Sequence, residues 1–380
     1  MTTRGVPWVP QGGIEASLVA PTRAGADRQE AVTSERTTSI LGRQPARGDR
    51  PTHRSYRHEA FVFRGDDEFL ASTVPFITEG LEAGQPVLVA VTPARIDLLL
   101  AAMGEDAESV QFRDMTRMGH NPARIIPAWR AFVDEHAAGG GPIRGIGEPI
   151  WSARRPAELA ECQLHEALLN VAVDPDTPLW LLCPYDVATL PDAVIEEAHR
   201  SHPVIVEPQS QRGSAAYLGA HHVGALFDAE LPTPGADVFL TRRQFGRGDL
   251  GELRAEVMAH ATSLGVPTHR AEDLALAVHE VAANSLEHGH GFGSLDIWRQ
   301  DGALLCEVRD VGRIDDPLVG RREIEWEDER GRGLWMANQL CDLVQIRSGR
   351  RGTTIRIHCR LDYTPVVSLL GVAGSADRPM

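Results

Sequence analysis

From His53 onward the chain alternates short apolar runs with amphipathic stretches. Phe61–Phe63, Pro86–Thr92, Val110–Phe112, Ile143–Ile146 and Leu179–Cys183 read as strands. Helical periods lie between them at Glu68–Glu82, Ala94–Met103, Ala123–Ala137 and Ala157–Val171, with another at Asp192–His199. Strands separated by helices in this rhythm predict an α/β domain with a parallel, doubly wound sheet over residues 53–203. Residues 204–236 mix Pro, Gly, Gln and Ser and read as a linker with local structure at most. A different pattern then begins. Val238–Leu240 opens a strand, and Leu250–Leu264 and Arg270–His288 are helical. Ser294–Arg299 and Ala303–Val308 alternate as strands joined at Asp301-Gly302, a strong hairpin signal. Leu334–Leu340 is helical, and Leu343–Arg347 with Thr353–Cys359 forms a second hairpin. Helices with mostly antiparallel strands predict an α+β sandwich over 237–361.

Both ends read as disorder. Residues 1–50 carry 7 Arg against 5 acidic residues, are rich in Gly, Pro, Ser and Thr, and lack a sustained period. Residues 362–380 read as a flexible tail. The 380 residues are 42% apolar and 24% charged, ordinary globular composition that rules out a single small binding module. A net charge of −15 opposes broad adhesion to nucleic acid or anionic lipid and favours a protein or small-molecule partner. All 38 basic residues are arginines. Without lysine there is no Walker-A lysine, Schiff base or protein-kinase strand lysine.

The five cysteines, Cys162, Cys183, Cys306, Cys341 and Cys359, sit in apolar runs without a C-x-x-C pair. They read as reduced core residues of a cytoplasmic protein, not as disulfides or zinc ligands. No apolar run approaches the roughly 20 residues of a membrane-spanning helix, and no signal-peptide core opens the chain.

Candidate chemistry concentrates in the last third. Glu280, Asn284 and His288 fall four apart on one helix and form a polar stripe, while Leu274, Val278 and Val281 cover much of the rest. Arg309-Asp310-Val-Gly312 ends a strand, where an aspartate can accept from an exocyclic amine and glycine permits close backbone approach. Gly331-Arg332-Gly333-Leu334 opens a helix whose free amides can hold phosphate. Gly352-Thr353-Thr354 enters the last strand, with a hydroxyl placed to support the aspartate. Arg309 and Arg332 read equally well as phosphate ligands or surface ion pairs. At the first sheet, Glu148, Trp151, Tyr185 and Asp186 fall near the carboxyl ends of strands, where such folds bind ligands.

The order Glu-x-x-x-Asn, Asp-x-Gly, Gly-x-Gly-Leu, Gly-Thr resembles the ATP-binding domain of the GHKL, or Bergerat-fold, superfamily, shared by gyrase, Hsp90, histidine kinases and anti-sigma serine kinases. The resemblance implies ATP and Mg²⁺ as cofactors, with Asn284 as the metal ligand, Asp310 on adenine, and Gly331, Gly333 and Leu334 bordering the phosphates. His288, Gly312, Arg332 and Thr353 join them as nucleotide-site candidates. Histidine kinases usually carry Asn four residues before the metal asparagine, and the helical hairpin bearing their phosphorylated histidine is missing here. Glu280 instead resembles the base of the serine kinases. The chain departs from the pattern at Arg313-Ile314, where a second glycine is usual.

Over 53–203, Tyr56, Arg64-Gly-Asp-Asp-Glu-Phe69, the Phe76–Leu81 run and Cys183-Pro-Tyr-Asp186 resemble the MEDS sensory domain. Together the resemblances imply a signal-responsive anti-sigma factor that binds a sigma factor or phosphorylates its antagonist. A non-catalytic ATP-binding switch and an unorthodox sensor histidine kinase are the alternatives. A homodimer is compatible, although no apolar stripe marks an interface.

Overall fold

The computed structural model describes residues 55–137, 141–235, 238–323 and 332–362. The expected tails at 1–50 and beyond residue 362, together with residues 324–330 and Gly331, lie outside the described residues.

The first lobe runs β1 (Arg57–Phe63), α1 (Gly65–Glu82), β2 (Val87–Val91), α2 (Pro93–Met103), β3 (Gln111–Asp114), α3 (Met115–Met118), α4 (Ile125–Ala137), β4 (Ile143–Gly147), α5 (Pro156–Ala172), β5 (Leu179–Asp186), α6 (Asp192–Ser201), β6 (Val204–Glu207) and β7 (Ser210–Gly213). Its sheet has the order β3-β2-β4-β5-β1-β6-β7 and is parallel except for the β6–β7 pair. All five residues of β2 are buried because the sheet is covered on both faces. Phe61, Phe63 and Val89 pack with Phe69, Phe76 and Leu99 of α1 and α2 on one face. Leu181 and Tyr185 pack with Trp129 of α4 and Leu168 of α5 on the other. The doubly wound expectation holds.

The stretch read as a linker is more ordered than expected. β6 and β7 extend the first sheet, and α7 (Ala220–Phe227) buries Val223 and Phe227 in the core beside α5. Four-residue strands are too short to display a period, and β7 is exposed at every position, so no apolar alternation marks it.

The second lobe runs β8 (Phe239–Gly246), α8 (Leu250–Ser263), α9 (Thr268–His288), β9 (Phe292–Gln300), β10 (Ala303–Asp310), α10 (Arg332–Leu340), β11 (Leu343–Gly349) and β12 (Gly352–Arg360). Five antiparallel strands in the order β11-β12-β10-β9-β8 carry the helices, as the α+β expectation required. Asp301 and Gly302 both adopt positive φ, 50° and 72°, the geometry that matches a two-residue hairpin to strand twist. α9 buries Leu274, Val278 and Val281, and α8 and α10 pack along it. All five cysteines are buried and unpaired. Among the described residues no helix is long and apolar enough to cross a membrane.

The lobes meet through buried polar groups. Glu161 of α5 accepts from Arg321 at 2.9 Å and Arg347 of β11 at 2.6 Å, all three side chains being buried. Burial presses the Arg321 guanidinium below its usual pKa while Glu161 pulls it back up. Asn121 donates to the backbone carbonyl and side-chain oxygen of Asn338 at 3.1 and 3.0 Å, and Arg124 donates to the Asn338 carbonyl at 2.9 Å. The first lobe therefore holds the carboxyl end of α10. Replacing Glu161 with Ala leaves two buried guanidiniums without their carboxylate, so stability in urea unfolding should fall by about 3–5 kcal/mol.

Candidate functional site

The four-residue spacing sets Glu280, Asn284 and His288 along one edge of α9, the first two half-buried and His288 exposed. The opening turn of α10 closes against that edge. A Cβ on Gly333 would lie 3.1 Å from Glu280 Oε2 and 3.3 Å from Asn284 Nδ2, so a side chain there would press on both groups. Beside this contact is a cavity of about 200 Å³. Val281, Ile314 and Leu334 supply apolar wall, Asp310, Ser285 and Thr353 supply polar groups, and Asn284, His288 and Gly312 also line it.

Asp310 is anchored at both of its carboxylate oxygens. Ser285 Oγ donates to its Oδ2 at 2.6 Å, and the Gly312 amide donates to its Oδ1 at 2.7 Å. Those two bonds fix the carboxylate plane and leave each oxygen with further accepting capacity. The turn after β10 is tightly enclosed. A Cβ on Gly312 would fall 2.6 Å from the His288 carbonyl oxygen, and Gly352, at φ +110°, would place one 2.1 Å from the Asp310 carbonyl oxygen. Both glycines are demanded by backbone proximity.

Two local expectations change. Thr353 faces the cavity, but its hydroxyl donates to the Gly312 carbonyl at 2.9 Å and pairs with Ser348 Oγ at 2.9 Å. It thus fastens the loop after Asp310, and Ser285 supports the carboxylate instead. Ser348 also accepts from the Ile314 amide at 2.8 Å. Arg309 alternates to the other face of β10, where it pairs with Glu307 and Asp296. Its phosphate reading is replaced by the ion-pair reading. Arg332 opens α10 and is exposed. Ile314, in place of the usual glycine, becomes part of the apolar wall.

Size does not mark this site. Clefts of about 470 Å³ beside Arg270 and Asp342 and about 700 Å³ beneath β11 and β12 are larger, yet neither is lined by Asn284, Asp310 or Leu334. A further cavity of about 470 Å³ lies at the carboxyl ends of the first sheet. Glu148, Trp151 and Asp186 line it, whereas Tyr185 is buried in the core with its ring nearly perpendicular to that of His202. Arg95 spans Asp66, Glu148 and Asp186, each at 3.1 Å, and the Gly65 amide also donates to Asp186. Burial pushes the Glu148 carboxyl upward against the pull of Arg95. Asp186 is thereby committed to the fold.

Comparison with known proteins gives one match in each lobe. Residues 57–203 match the family described as MEDS, the MEthanogen/methylotroph, DcmR Sensory domain, and residues 247–359 match the histidine kinase-like ATPase domain. No curated protein matches. Among solved structures, the RsbU and RsbW domains of Rv1364c from Mycobacterium tuberculosis align at 20% identity, covering 32% of each chain with a TM-score of 0.23. The match therefore spans about a third of that chain. The SiaB-SiaC complex from Pseudomonas aeruginosa gives 15% identity over 32% of this chain and 89% of that one, TM-score 0.26. The Acinetobacter baumannii histidine kinase AdeS gives 10% over 33% and 69%, TM-score 0.19. Likenesses of this depth carry no argument about activity.

The enclosed turn predicts its own sensitivity. Gly352→Ala should lower unfolding stability by about 1–3 kcal/mol through the forced backbone shift. Ser348→Ala, which removes the hydroxyl shared by the Ile314 amide and Thr353, should cost about 1 kcal/mol in the same denaturant titration.

Proposed function

We propose that the chain is a signal-responsive regulator whose second lobe binds ATP with Mg²⁺ and phosphorylates a partner protein on serine. The observation that carries this reading is the convergence of Asn284, Asp310 and Leu334 on one cavity, with Gly333 packed against Glu280 and Asn284 beside it. Donor chemistry supports the fit. An oriented carboxylate between apolar walls suits a flat base with an exocyclic amine, an amide oxygen suits a hard cation, and a glycine-opened helix suits an anion.

Bound there, Mg-ATP would supply the transferable phosphoryl group and, through its metal, offset the phosphate charge. The protein's own part is positioning. Asp310, held by Ser285 and the Gly312 amide, accepts from the amine of the base. Val281, Ile314 and Leu334 exclude water from the ring faces. Asn284 offers its side-chain oxygen to the metal. The opening turn of α10 presents N–H groups of the kind that lack an intrahelical partner, at Gly333 and Leu334, and these suit phosphate oxygens; Arg332 heads that turn as a further phosphate candidate. Glu280, one turn before Asn284, receives the proton of the attacking serine hydroxyl.

The partner class is a sigma factor or the antagonist of an anti-sigma factor, the antagonist bearing the accepting serine. The signal enters through the MEDS lobe. Its contact with Asn338 at one end of α10, and with Arg321 before the 324–331 segment, gives that lobe a mechanical hold on the helix that borders the nucleotide cavity. A signal acts only if it favours one arrangement of that contact over another. The Arg313-Ile314 departure favours a second reading in which ATP is a conformational ligand without phosphoryl transfer.

Two measurements test these readings. Mg²⁺ should tighten ATP binding to the wild type and not to Asn284→Ala; equal affinity in all four arms rejects the site. Glu280→Gln should keep ATP affinity and lose phosphoserine formation on an antagonist by about 10²-fold or more. ATP binding with no labelled product from the wild type selects the conformational reading.

A further inference from the structure

Four side chains meet in the interior of the first lobe, away from the nucleotide cavity. His58 is the second residue of β1, Glu166 lies on α5, Cys183 on β5, and His202 directly follows α6. All four are buried, and one potential ligand atom from each lies within 4.8 Å of the other three. His58 Nε2 is 3.0 Å from Glu166 Oε2, His202 Nε2 is 3.3 Å from that same oxygen, and Cys183 Sγ is 3.5 Å from His58 Nε2. Tetrahedral zinc, with bonds of about 2.0–2.3 Å, requires ligand atoms about 3.3–3.6 Å apart.

The outer hydrogen bonds decide which atoms face inward. Asn170 Nδ2 donates to the Ser201 carbonyl at 2.7 Å and reaches the Glu166 and Ala167 carbonyls. Its Oδ1 must therefore be the atom 3.1 Å from His58 Nδ1, which makes that ring nitrogen the N–H donor. His202 Nδ1 lies 2.9 Å from the Ala198 carbonyl and is likewise an N–H donor. With Nδ1 turned outward as a donor, each ring directs Nε2 toward the centre, where a neutral imidazole would set a lone pair against those of the carboxylate. Among the described residues His202 Nε2 and Glu166 Oε1 have no hydrogen-bond partner, although both are buried. An unrelieved meeting of lone pairs is costly in a dry interior, and a cation relieves it.

We propose that His58, Glu166, Cys183 and His202 form a site for a divalent transition metal of the zinc class. Two imidazoles, one carboxylate and one thiolate are a borderline-soft donor set. A dication with two anionic ligands leaves no net charge in the core. Asn170 and the Ala198 carbonyl are the outer partners that orient the imidazoles, as metal-bound histidines require. Tyr56 stacks on His58 with centroids 5.9 Å apart, and Tyr185 meets His202 edge-on at 5.6 Å, so aromatic rings shield the centre.

Binding must be coupled to protons. Burial, followed by Glu166, pushes the Cys183 thiol far upward, so without metal it is protonated. Uptake breaks the S–H bond, forms a sulfur–metal bond and releases one proton to solvent. Apparent affinity should therefore fall on acidification.

The test uses the full chain without nucleotide, so its outcome is separate from the ATP reading. The protein is unfolded with chelator, refolded with Co²⁺ or Zn²⁺ and desalted, and metal is counted by mass spectrometry. About one equivalent should remain, with a thiolate-to-cobalt charge-transfer band and the intense ligand-field bands of four-coordinate Co²⁺. Cys183→Ser should abolish the charge-transfer band, and His202→Gln should weaken binding at least about tenfold. Refolded wild type with native circular dichroism but no retained metal overturns the site. So does a charge-transfer band that survives Cys183→Ser. If that variant does not refold, Glu166→Gln replaces it: loss of the tightly held equivalent supports the site, and full retention with an unchanged spectrum overturns it.

Discussion

The whole arrangement depends on a single carboxylate serving two guanidiniums out of reach of water. Glu161 sits on a helix of the first lobe, Arg321 and Arg347 on the second, and none is solvated enough to be satisfied elsewhere. The attraction holds because both partners are present together; separating the lobes would strand the charge on either side. A two-domain chain with this contact is accordingly not a pair of beads on a string. The structured stretch after β5 reinforces the same point, because β6, β7 and α7 are built into the first lobe and its neighbour.

The cavity at Asp310 shows how a weakly specific motif acquires meaning from backbone geometry. An aspartate followed two residues later by glycine occurs by chance in many chains. Here the glycine amide fixes the aspartate, its missing side chain admits the His288 carbonyl, and a second glycine on the paired strand admits the Asp310 carbonyl. Three backbone segments thus close around one carboxylate. Ser348 and Thr353 lock the loop from behind, so orientation is preset before any ligand arrives.

Long periodic segments were legible in the sequence because burial writes a period into them. The α9 stripe, the Asp301-Gly302 hairpin and the buried β2 run are examples. β6 and β7 were not, being four residues each, and α7 was hidden in Gly-rich surroundings. At the candidate cavity the linear motifs named Asn284, Asp310 and Gly333, which the structure gathers closely. Ser285 lay unread inside the quoted helix, and Ser348 carried no local signal, because their roles arise from contacts across 25 and 34 residues. The face occupied by Arg309 required only strand alternation from Val308. The His58, Glu166, Cys183 and His202 cluster had no readable spacing, since its members come from four elements brought together by parallel pairing and crossover helices.

α5 differs from the amphipathic helices around it. Glu161, Cys162, Leu164, His165, Glu166, Ala167, Leu168 and Leu169 are all buried, so atoms enclose it on nearly every side. Glu161 and Glu166 lie five positions apart, about 7.5 Å along the axis and pointing in different directions. Such a rod cannot roll or slide privately: displacement at one carboxylate is delivered to the other, because close packing leaves no slack to absorb it.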